Sequence, residues 1–141
     1  MSRSSTADTQ TEICIRVQST ADIVTARQHG REIAARLGFS PSDLTIIATA
    51  ISEIARNIVE YAREGEISIS LAEDGSRTGV QIVARDDGPG IADLPAVLRD
   101  GITTGSGLGL GLPGARRLMD EFDIASKLGK GTTVVMRKWM Q

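Results

Sequence analysis

The chain has 141 residues and a formal net charge of -2, and a chain of this length can bury a sizeable core, which predicts a single globular domain. Acidic and basic residues alternate without forming blocks, and only 3% of residues are aromatic. This composition argues against nucleic-acid and anionic-membrane binding. No apolar run approaches the roughly 20 residues that span a bilayer, and the polar start lacks a signal-peptide core, so a cytoplasmic location is expected.

Residues 1–11 are rich in serine and threonine and are expected to be disordered, whereas residues 12–141 are expected to form the domain,. The segment 12–18 alternates apolar and polar side chains, which predicts a half-buried strand,. Cys14, the only cysteine, lies in this strand and is predicted to be a buried structural thiol,. His29 has no second histidine or cysteine at ligand spacing, which indicates a surface or packing residue,.

Two helices are predicted next. The first runs from Thr20 to Leu37, with Ser19 at its N-cap and Gly38 as its stop,. The second follows Ser40 and Pro41, a cap and a first-turn proline, and is predicted to continue to about Ala62,.

The second half of the chain predicts a hairpin, a long loop, a helix and two more strands. The predicted ranges are 66–71 and 79–85 for the hairpin, 112–121 for the helix, and 124–128 and 132–139 for the last strands,. The loop between them is longer than about 12 to 15 residues, and such loops in compact domains are usually functional. This order predicts an α+β fold in which three helices cover one face of a mixed, mostly antiparallel sheet.

A glycine-rich stretch, TTGSGLGLGLPGARRL at 103–118, precedes the third predicted helix. Bare backbone at a helix start suits phosphate binding, although a flexible hinge explains the glycines equally well. A P-loop is excluded because no lysine follows the glycines,. Gly109, Gly111 and Gly114 match GxGxxG, but no apolar strand precedes them and no acidic residue follows at the ribose-binding distance, which argues against a dinucleotide site,.

A second glycine cluster, ARDDGPGI, places Asp86 at a predicted strand end, followed by Gly88 and Gly90. A carboxylate there can accept a hydrogen bond from an exocyclic amine such as that of adenine. Because Asp, Gly and Pro all form turns, a simple turn is the favoured interpretation of this cluster by itself.

Glu53 and Asn57 form a third candidate pair on the second helix. Their i, i+4 spacing makes them neighbours at the edge of the apolar stripe,. The carboxylate could position a hydroxyl, and the amide oxygen suits Mg²⁺. A solvated polar face is an equally good interpretation of these two residues alone.

The motifs SEIARN, DDGPGI, GLGLGL and GKGTT occur in this order in one chain. Together they resemble the N, G1, G2 and G3 boxes of the GHKL ATPases over about residues 20–138, which implies the Bergerat two-layer sandwich. A domain of this size looks like the anti-sigma-factor and serine kinase branch of that superfamily. The phrases ATAISEIARNIVEYA and GLGLPGARRLMDEFDI are similar to the switch kinases of the stressosome.

This resemblance implies roles for individual residues. Glu53 corresponds to the catalytic base, Asn57 to the Mg²⁺ ligand and Asp86 to the adenine acceptor. The glycine motifs add further nucleotide-binding residues: Gly88, Gly90, Gly107, Gly109, Gly111, Gly131 and Thr132. Residues 92–106 correspond to an ATP lid,. Glu60 stands where histidine kinases usually have lysine or histidine, which argues against a histidine kinase.

The implied activity is that of a serine/threonine kinase that uses ATP and Mg²⁺. In the family that it resembles, such kinases phosphorylate STAS-domain proteins, are sequestered by them, and activate a PP2C-type phosphatase when released. The alternative is an anti-sigma factor or another nucleotide-controlled binding regulator with little kinase activity.

Overall fold

The computed structural model describes residues 12–100 and 111–140, without the side chains at 99 and 100. The expected disorder of residues 1–11 therefore concerns residues outside this description. Five strands are described: β1 (Ile13–Val17), β2 (Gly65–Asp74), β3 (Arg77–Asp86), β4 (Glu121–Lys127) and β5 (Gly131–Trp139). Four α-helices are described: α1 (Thr20–Leu37), α2 (Pro41–Asn57), α3 (Leu94–Asp100) and α4 (Gly111–Leu118). A π-helical turn, Ile58–Ala62, follows α2 directly.

The first two helices begin at the predicted capping residues. The Ser19 hydroxyl accepts a hydrogen bond from the Asp22 amide at 3.4 Å, and the Ser40 hydroxyl accepts one from the Asp43 amide at 3.3 Å. Gly38 ends α1 in the left-handed conformation, with φ 105°. These side chains and this glycine satisfy backbone groups that the helix itself leaves unpaired, which explains why both starts were readable from sequence.

The second helix changes character immediately after Asn57. The predicted extension to Ala62 is present, but it is a π-helical turn, closed by a hydrogen bond from the Arg63 amide to the Ile58 carbonyl at 2.8 Å. Arg63 has φ 76°, a conformation that non-glycine residues rarely adopt,. Isolated π-turns inside helices are frequent at functional sites, and this one follows a predicted site residue.

The sheet has the strand order β1-β2-β3-β5-β4. All four pairings are antiparallel, which confirms the mostly antiparallel prediction, whereas the expected mixed component is not present among the described strands. β2 and β3 are each ten residues long and extend almost to their turn, further than the alternating pattern predicted. The polar ends of these strands lack the alternating pattern, and they are extended because the two strands pair with each other there,.

The helices cover one face of the sheet, as the α+β prediction requires. Ile69, Ile82 and Met136 are neighbours in register on adjacent strands, and all three are fully buried in one core with the apolar stripes of α1 and α2. Val97 of α3 packs into the same core. The short helix α3, predicted as loop with at most a helical turn, is therefore a fourth helix on this face.

The opposite face of the sheet is mostly polar, although Val83, Val135 and Trp139 also lie on it. It carries the ion pairs Arg85–Glu66 and Arg137–Glu121, at 3.2 Å and 2.9 Å. Cys14 points to this face and is exposed, so the prediction of a buried thiol is wrong. β1 is an edge strand that buries Ile15 and Val17, and strand alternation places Cys14 on the uncovered side,. His29 is half-buried on α1. Among the described residues, no helix has the length and apolarity needed to cross a membrane.

Candidate nucleotide and phosphoryl-transfer site

Asp86 is the last residue of β3 and lies opposite Thr132 of β5. It is half-buried, and its Oδ1 accepts a hydrogen bond from the Gly88 amide at 2.9 Å. Burial raises the pKa of this carboxyl above its usual value, and hydrogen bonding from the backbone of Gly88 and Thr132 lowers the pKa only in part,. The strand end thus holds a partly desolvated acceptor in one orientation, as recognition of an exocyclic amine requires.

Gly88 brings the segment after β3 against the π-helical turn. A β-carbon added at Gly88 would lie 2.6 Å from the Ala62 Cβ and 3.1 Å from Asp86 Oδ1. Any larger residue at position 88 would push the segment after β3 away from the π-helical turn. Gly90 has φ 78° and lies against the Lys127 carbonyl, which joins the same segment to the end of β4. The DDGPG segment therefore bends at Gly88 and is packed against two other elements.

Gly131 and Thr132 complete this side of the site. Gly131 has φ 114°, and a β-carbon there would collide with the Asp86 carbonyl oxygen. Thr132 is 7% exposed, and its Oγ1 lies 2.7 Å from the Ser126 Oγ. The predicted residues Asp86, Gly131 and Thr132 are thus brought into direct contact, although 45 residues of chain separate the first two.

Ser126 is a residue that sequence reasoning missed. Its hydroxyl accepts a hydrogen bond from the Ile91 amide at 2.8 Å and also contacts Thr132 and the Gly131 carbonyl. It thereby ties the start of the segment between DDGPG and α3 to the β4–β5 hairpin. The available signal was a serine that continues the inward-facing alternation of Phe122 and Ile124, three residues before the GKG turn,.

Glu53 lies on α2 and is only 5% exposed, which excludes the solvated polar face for this residue. Its Oε1 accepts a hydrogen bond from the Gly111 amide at 3.0 Å. Its Oε2 accepts one from Arg56 at 3.3 Å. A buried carboxylate requires such partners, because an unpaired one would carry a large desolvation cost.

The contact between Glu53 and Gly111 joins two of the sequence motifs. Gly111 has φ 48° and is the first residue of α4, one residue before the predicted helix start. Its amide is among those that the helix leaves unpaired, at the positive end of the helix dipole, where anions are favoured. The Glu53 carboxylate occupies this anion position at the start of α4, which links the SEIARN motif to the end of the glycine-rich stretch. Gly107 and Gly109, the other predicted glycines of that run, lie outside the described residues.

Asn57 is the last residue of α2, one helical turn after Glu53, and is half-buried. The described residues contain no group of three or more His, Cys, Asp or Glu side chains able to hold a metal ion by themselves. Mg²⁺ in nucleotide enzymes usually takes one or two protein oxygens, with phosphate and water completing the shell. A single amide oxygen beside a carboxylate fits that kind of site.

Comparison with known sequences matches this architecture to a family. The profile of the histidine kinase-like ATPase domain matches residues 17–138, which include every predicted site residue. The chain therefore belongs to the histidine kinase-like ATPase domain family. A crystal structure of the RsbU and RsbW domains of a Mycobacterium tuberculosis protein has the same fold, with a TM-score of 0.60 and 24% identity, over 89% of this chain and 32% of that one.

The particular class of enzyme follows from closer relatives. The serine/threonine-protein kinase RsbT of Bacillus subtilis is 49% identical over 91% of this chain and 96% of its own. An anti-sigma F factor of Geobacillus stearothermophilus is 34% identical over 74% of this chain and 75% of its own. These similarities confirm the predicted enzyme class, a GHKL-type protein serine/threonine kinase.

Proposed function

We propose that this kinase transfers the γ-phosphoryl group of ATP to a serine or threonine of a STAS-domain protein, in a partner-switching pathway. The observation that supports the activity most strongly is the 49% identity to the kinase RsbT over nearly all of both chains. The acceptor class rests on the motif resemblance to the stressosome switch kinases. Release from the STAS-domain complex then allows the kinase to bind and activate a PP2C-type phosphatase.

The nucleotide base is assigned to the Asp86 side of the site. Its carboxylate accepts a hydrogen bond from the exocyclic amine of adenine, and Gly88 and Gly131 allow the π-helical turn and β5 to pack closely around this end of β3. Thr132, hydrogen-bonded to Ser126, supports the carboxylate from β5.

The phosphates are assigned to the other side, between Asn57 and the start of α4. When bound, Mg²⁺ neutralises phosphate charge, and the Asn57 amide oxygen is the proposed protein ligand. The Gly111 amide at the start of α4 is proposed to bind a phosphate oxygen, together with the backbone of the predicted residues Gly107 and Gly109,. Phosphoryl transfer has a loose transition state, so positioning and charge neutralisation supply most of the catalysis.

Glu53 is assigned to the acceptor hydroxyl. The hydroxyl oxygen forms a bond to the γ-phosphorus while the bond from that phosphorus to the bridging oxygen of ADP breaks, and Glu53 accepts the hydroxyl hydrogen. Because the transition state is loose, orientation of the hydroxyl matters more than its early deprotonation.

A transfer assay tests this proposal. The kinase is incubated with γ-labelled ATP, Mg²⁺ and purified STAS-domain proteins encoded in the same genome, and label in the protein is measured. Label is expected on a serine or threonine of one of them, and Glu53→Gln is expected to lose transfer while retaining ATP affinity. Wild-type transfer by Glu53→Gln would refute the role of Glu53.

A second candidate is a nucleotide-controlled binding regulator, which the similarity to anti-sigma F factors favours. In that case the protein would form a nucleotide-dependent complex with its partner, and no label would be transferred. The same assay, combined with gel filtration of the mixtures, separates the two functions.

A further inference from the structure

Arg56 belongs to the site, although no motif role was assigned to it. It lies on α2, three residues after Glu53 and one before Asn57. Its Nη1 donates to Glu53 Oε2 at 3.3 Å. The Arg56 side chain is 32% exposed, whereas that of Glu53 is 5% exposed, so a partly solvated cation reaches a buried carboxylate.

The two carboxylate oxygens of Glu53 have hydrogen-bond partners on different helices. Gly111, which binds Oε1, is 58 residues further along the chain. Its amide stands at the helix start that the proposed function assigns to phosphate, so bound phosphate competes with Glu53 for it. Arg56 is on the same helix as Glu53, and its contact with Oε2 needs no other element. Arg56 is therefore the partner that remains when the Gly111 amide turns to phosphate.

We propose that Arg56 is a positioning residue for phosphoryl transfer, which holds the Glu53 carboxylate in the orientation that accepts the hydrogen of the acceptor hydroxyl. This inference rests on the proposed role of Glu53. A guanidinium bound to one carboxylate oxygen limits rotation of the carboxylate and leaves the other oxygen for the hydroxyl. It also balances a charge that would otherwise be buried unpaired.

The test is a double-mutant cycle between Arg56 and Glu53. Phosphoryl transfer is measured at saturating ATP in Arg56→Met, Glu53→Gln and the double variant, and ATP affinity is measured separately by calorimetry. Arg56→Met is expected to slow transfer by about ten- to a hundredfold, since small misplacements of a catalytic group have effects of that order. Its ATP affinity stays within about twofold of wild type. In the Glu53→Gln background the low residual transfer rate is measured, and Arg56→Met is expected not to lower it further, because the two residues act through one interaction.

Two further variants complete the design. Arg36→Met removes an exposed arginine from the last turn of α1 and is expected to leave transfer unchanged. Arg56→Lys keeps a cation without the planar guanidinium and is expected to restore part of the lost rate. If thermal unfolding shows that Arg56→Met is not folded, Arg56→Lys takes its place in the cycle. Arg56→Lys is then expected to lower the transfer rate several-fold when Glu53 is present and not at all in the Glu53→Gln background.

The outcomes separate this inference from the proposed function. Wild-type transfer by the Arg56 variants, with transfer lost in Glu53→Gln, overturns the role of Arg56 alone. An equal slowing in both backgrounds also overturns it, since Arg56 would then act without Glu53. Wild-type transfer by Glu53→Gln overturns the proposed role of Glu53 itself.

Discussion

The Asp86 carboxylate is proposed to bind adenine, but its burial lowers the stability of the folded protein. Burial raises its pKa, so the ionised form is held at a cost in the folded protein,. Asp86→Asn removes that cost and keeps an oxygen for the Gly88 amide, so the variant is expected to unfold at a higher temperature than wild type at pH 7. The amide also places a donor toward the exocyclic amine of adenine, and the ATP dissociation constant is expected to rise roughly tenfold or more. Thermal unfolding and calorimetry measure the two effects.

The pH dependence of this stability difference has a definite sign. Because the pKa of Asp86 is raised in the folded state, the folded protein binds this proton more tightly than the unfolded chain does. The stability of the wild type relative to Asp86→Asn therefore falls as pH rises through the raised pKa of Asp86. As pH is lowered to the usual pKa range of aspartate, the difference in stability between the two proteins becomes smaller. Asp87→Asn, at the exposed neighbouring position, is the control and is expected to retain ATP affinity. Unchanged affinity in Asp86→Asn would remove Asp86 from the site.

Gly131 offers a second single-residue test, with an internal control two residues away. Gly129 and Gly131 both have positive φ, 78° and 114°. A β-carbon at Gly131 collides with the Asp86 backbone, whereas one at Gly129 has no neighbour within 4 Å. Gly131→Ala is expected to destabilise the protein by more than about 3 kcal/mol, and Gly129→Ala by about 1 kcal/mol, the cost of the backbone conformation alone. Equal losses in urea unfolding would contradict the close approach of β5 to Asp86.

At the scale of elements, the hydrogen bonds of Ser126 connect the β4–β5 hairpin to the segment that follows β3. This side chain joins the β4–β5 hairpin to the Ile91 amide, which lies just before α3. Ser126→Ala is expected to weaken ATP binding by about fivefold, the effect of roughly 1 kcal/mol in lost hydrogen bonding. Hydrogen exchange at the Ile91 amide is expected to accelerate.

Ser68→Ala is the matched control for this contact. Ser68 is half-buried in β2, and its side chain makes no hydrogen bond within the described part of the chain. Its replacement is expected to change neither ATP affinity nor exchange at Ile91. An effect of Ser126→Ala on exchange without any change in ATP affinity would show that the anchor does not support the nucleotide site.

For the molecule as a whole, nucleotide binding should appear as a gain in stability. A ligand at a hundredfold excess over its dissociation constant stabilises the folded state by about 2.7 kcal/mol. For a chain of 141 residues this corresponds to a rise in Tm of roughly 5–10 °C,. The rise is expected with ATP and Mg²⁺, and to shrink by more than half when EDTA removes the metal.

Variants of Asn57 test whether this residue provides the Mg²⁺-dependent part of that stabilisation. Asn57→Ala is expected to lose the increment that Mg²⁺ adds, whereas Asn57→Asp, which keeps a hard oxygen ligand, is expected to retain it. Differential scanning fluorimetry with and without EDTA measures all three proteins. A full Mg²⁺ increment in Asn57→Ala would place the metal ligand elsewhere.

Most of the secondary structure was predictable because its signals are local. Ser19, Ser40 and Gly38 mark helix ends through hydrogen bonds and φ angles that involve only nearby residues,. The polar ends of β2 and β3 carry no local alternation, and their length depends on pairing between the strands. The exposure of Cys14 has a different explanation: alternation with Ile15 and Val17 already placed it on the opposite face of β1, and the general preference of cysteine for burial was given more weight than this local pattern,.

The candidate site divides along the same line. The residue types and the order of four short motifs were sufficient to predict the family, the kinase class and the set of candidate residues. The contacts Glu53–Gly111, Ser126–Ile91 and the approach of Gly131 to Asp86 join segments that are 58, 35 and 45 residues apart. No local pattern encodes such contacts, because they arise only when helices and hairpin pack on one sheet. Tertiary structure alone therefore showed that Glu53 is buried against the start of α4. The i, i+3 spacing already allowed the pair between Arg56 and Glu53, but only the burial of Glu53 showed that this pair belongs to the site,.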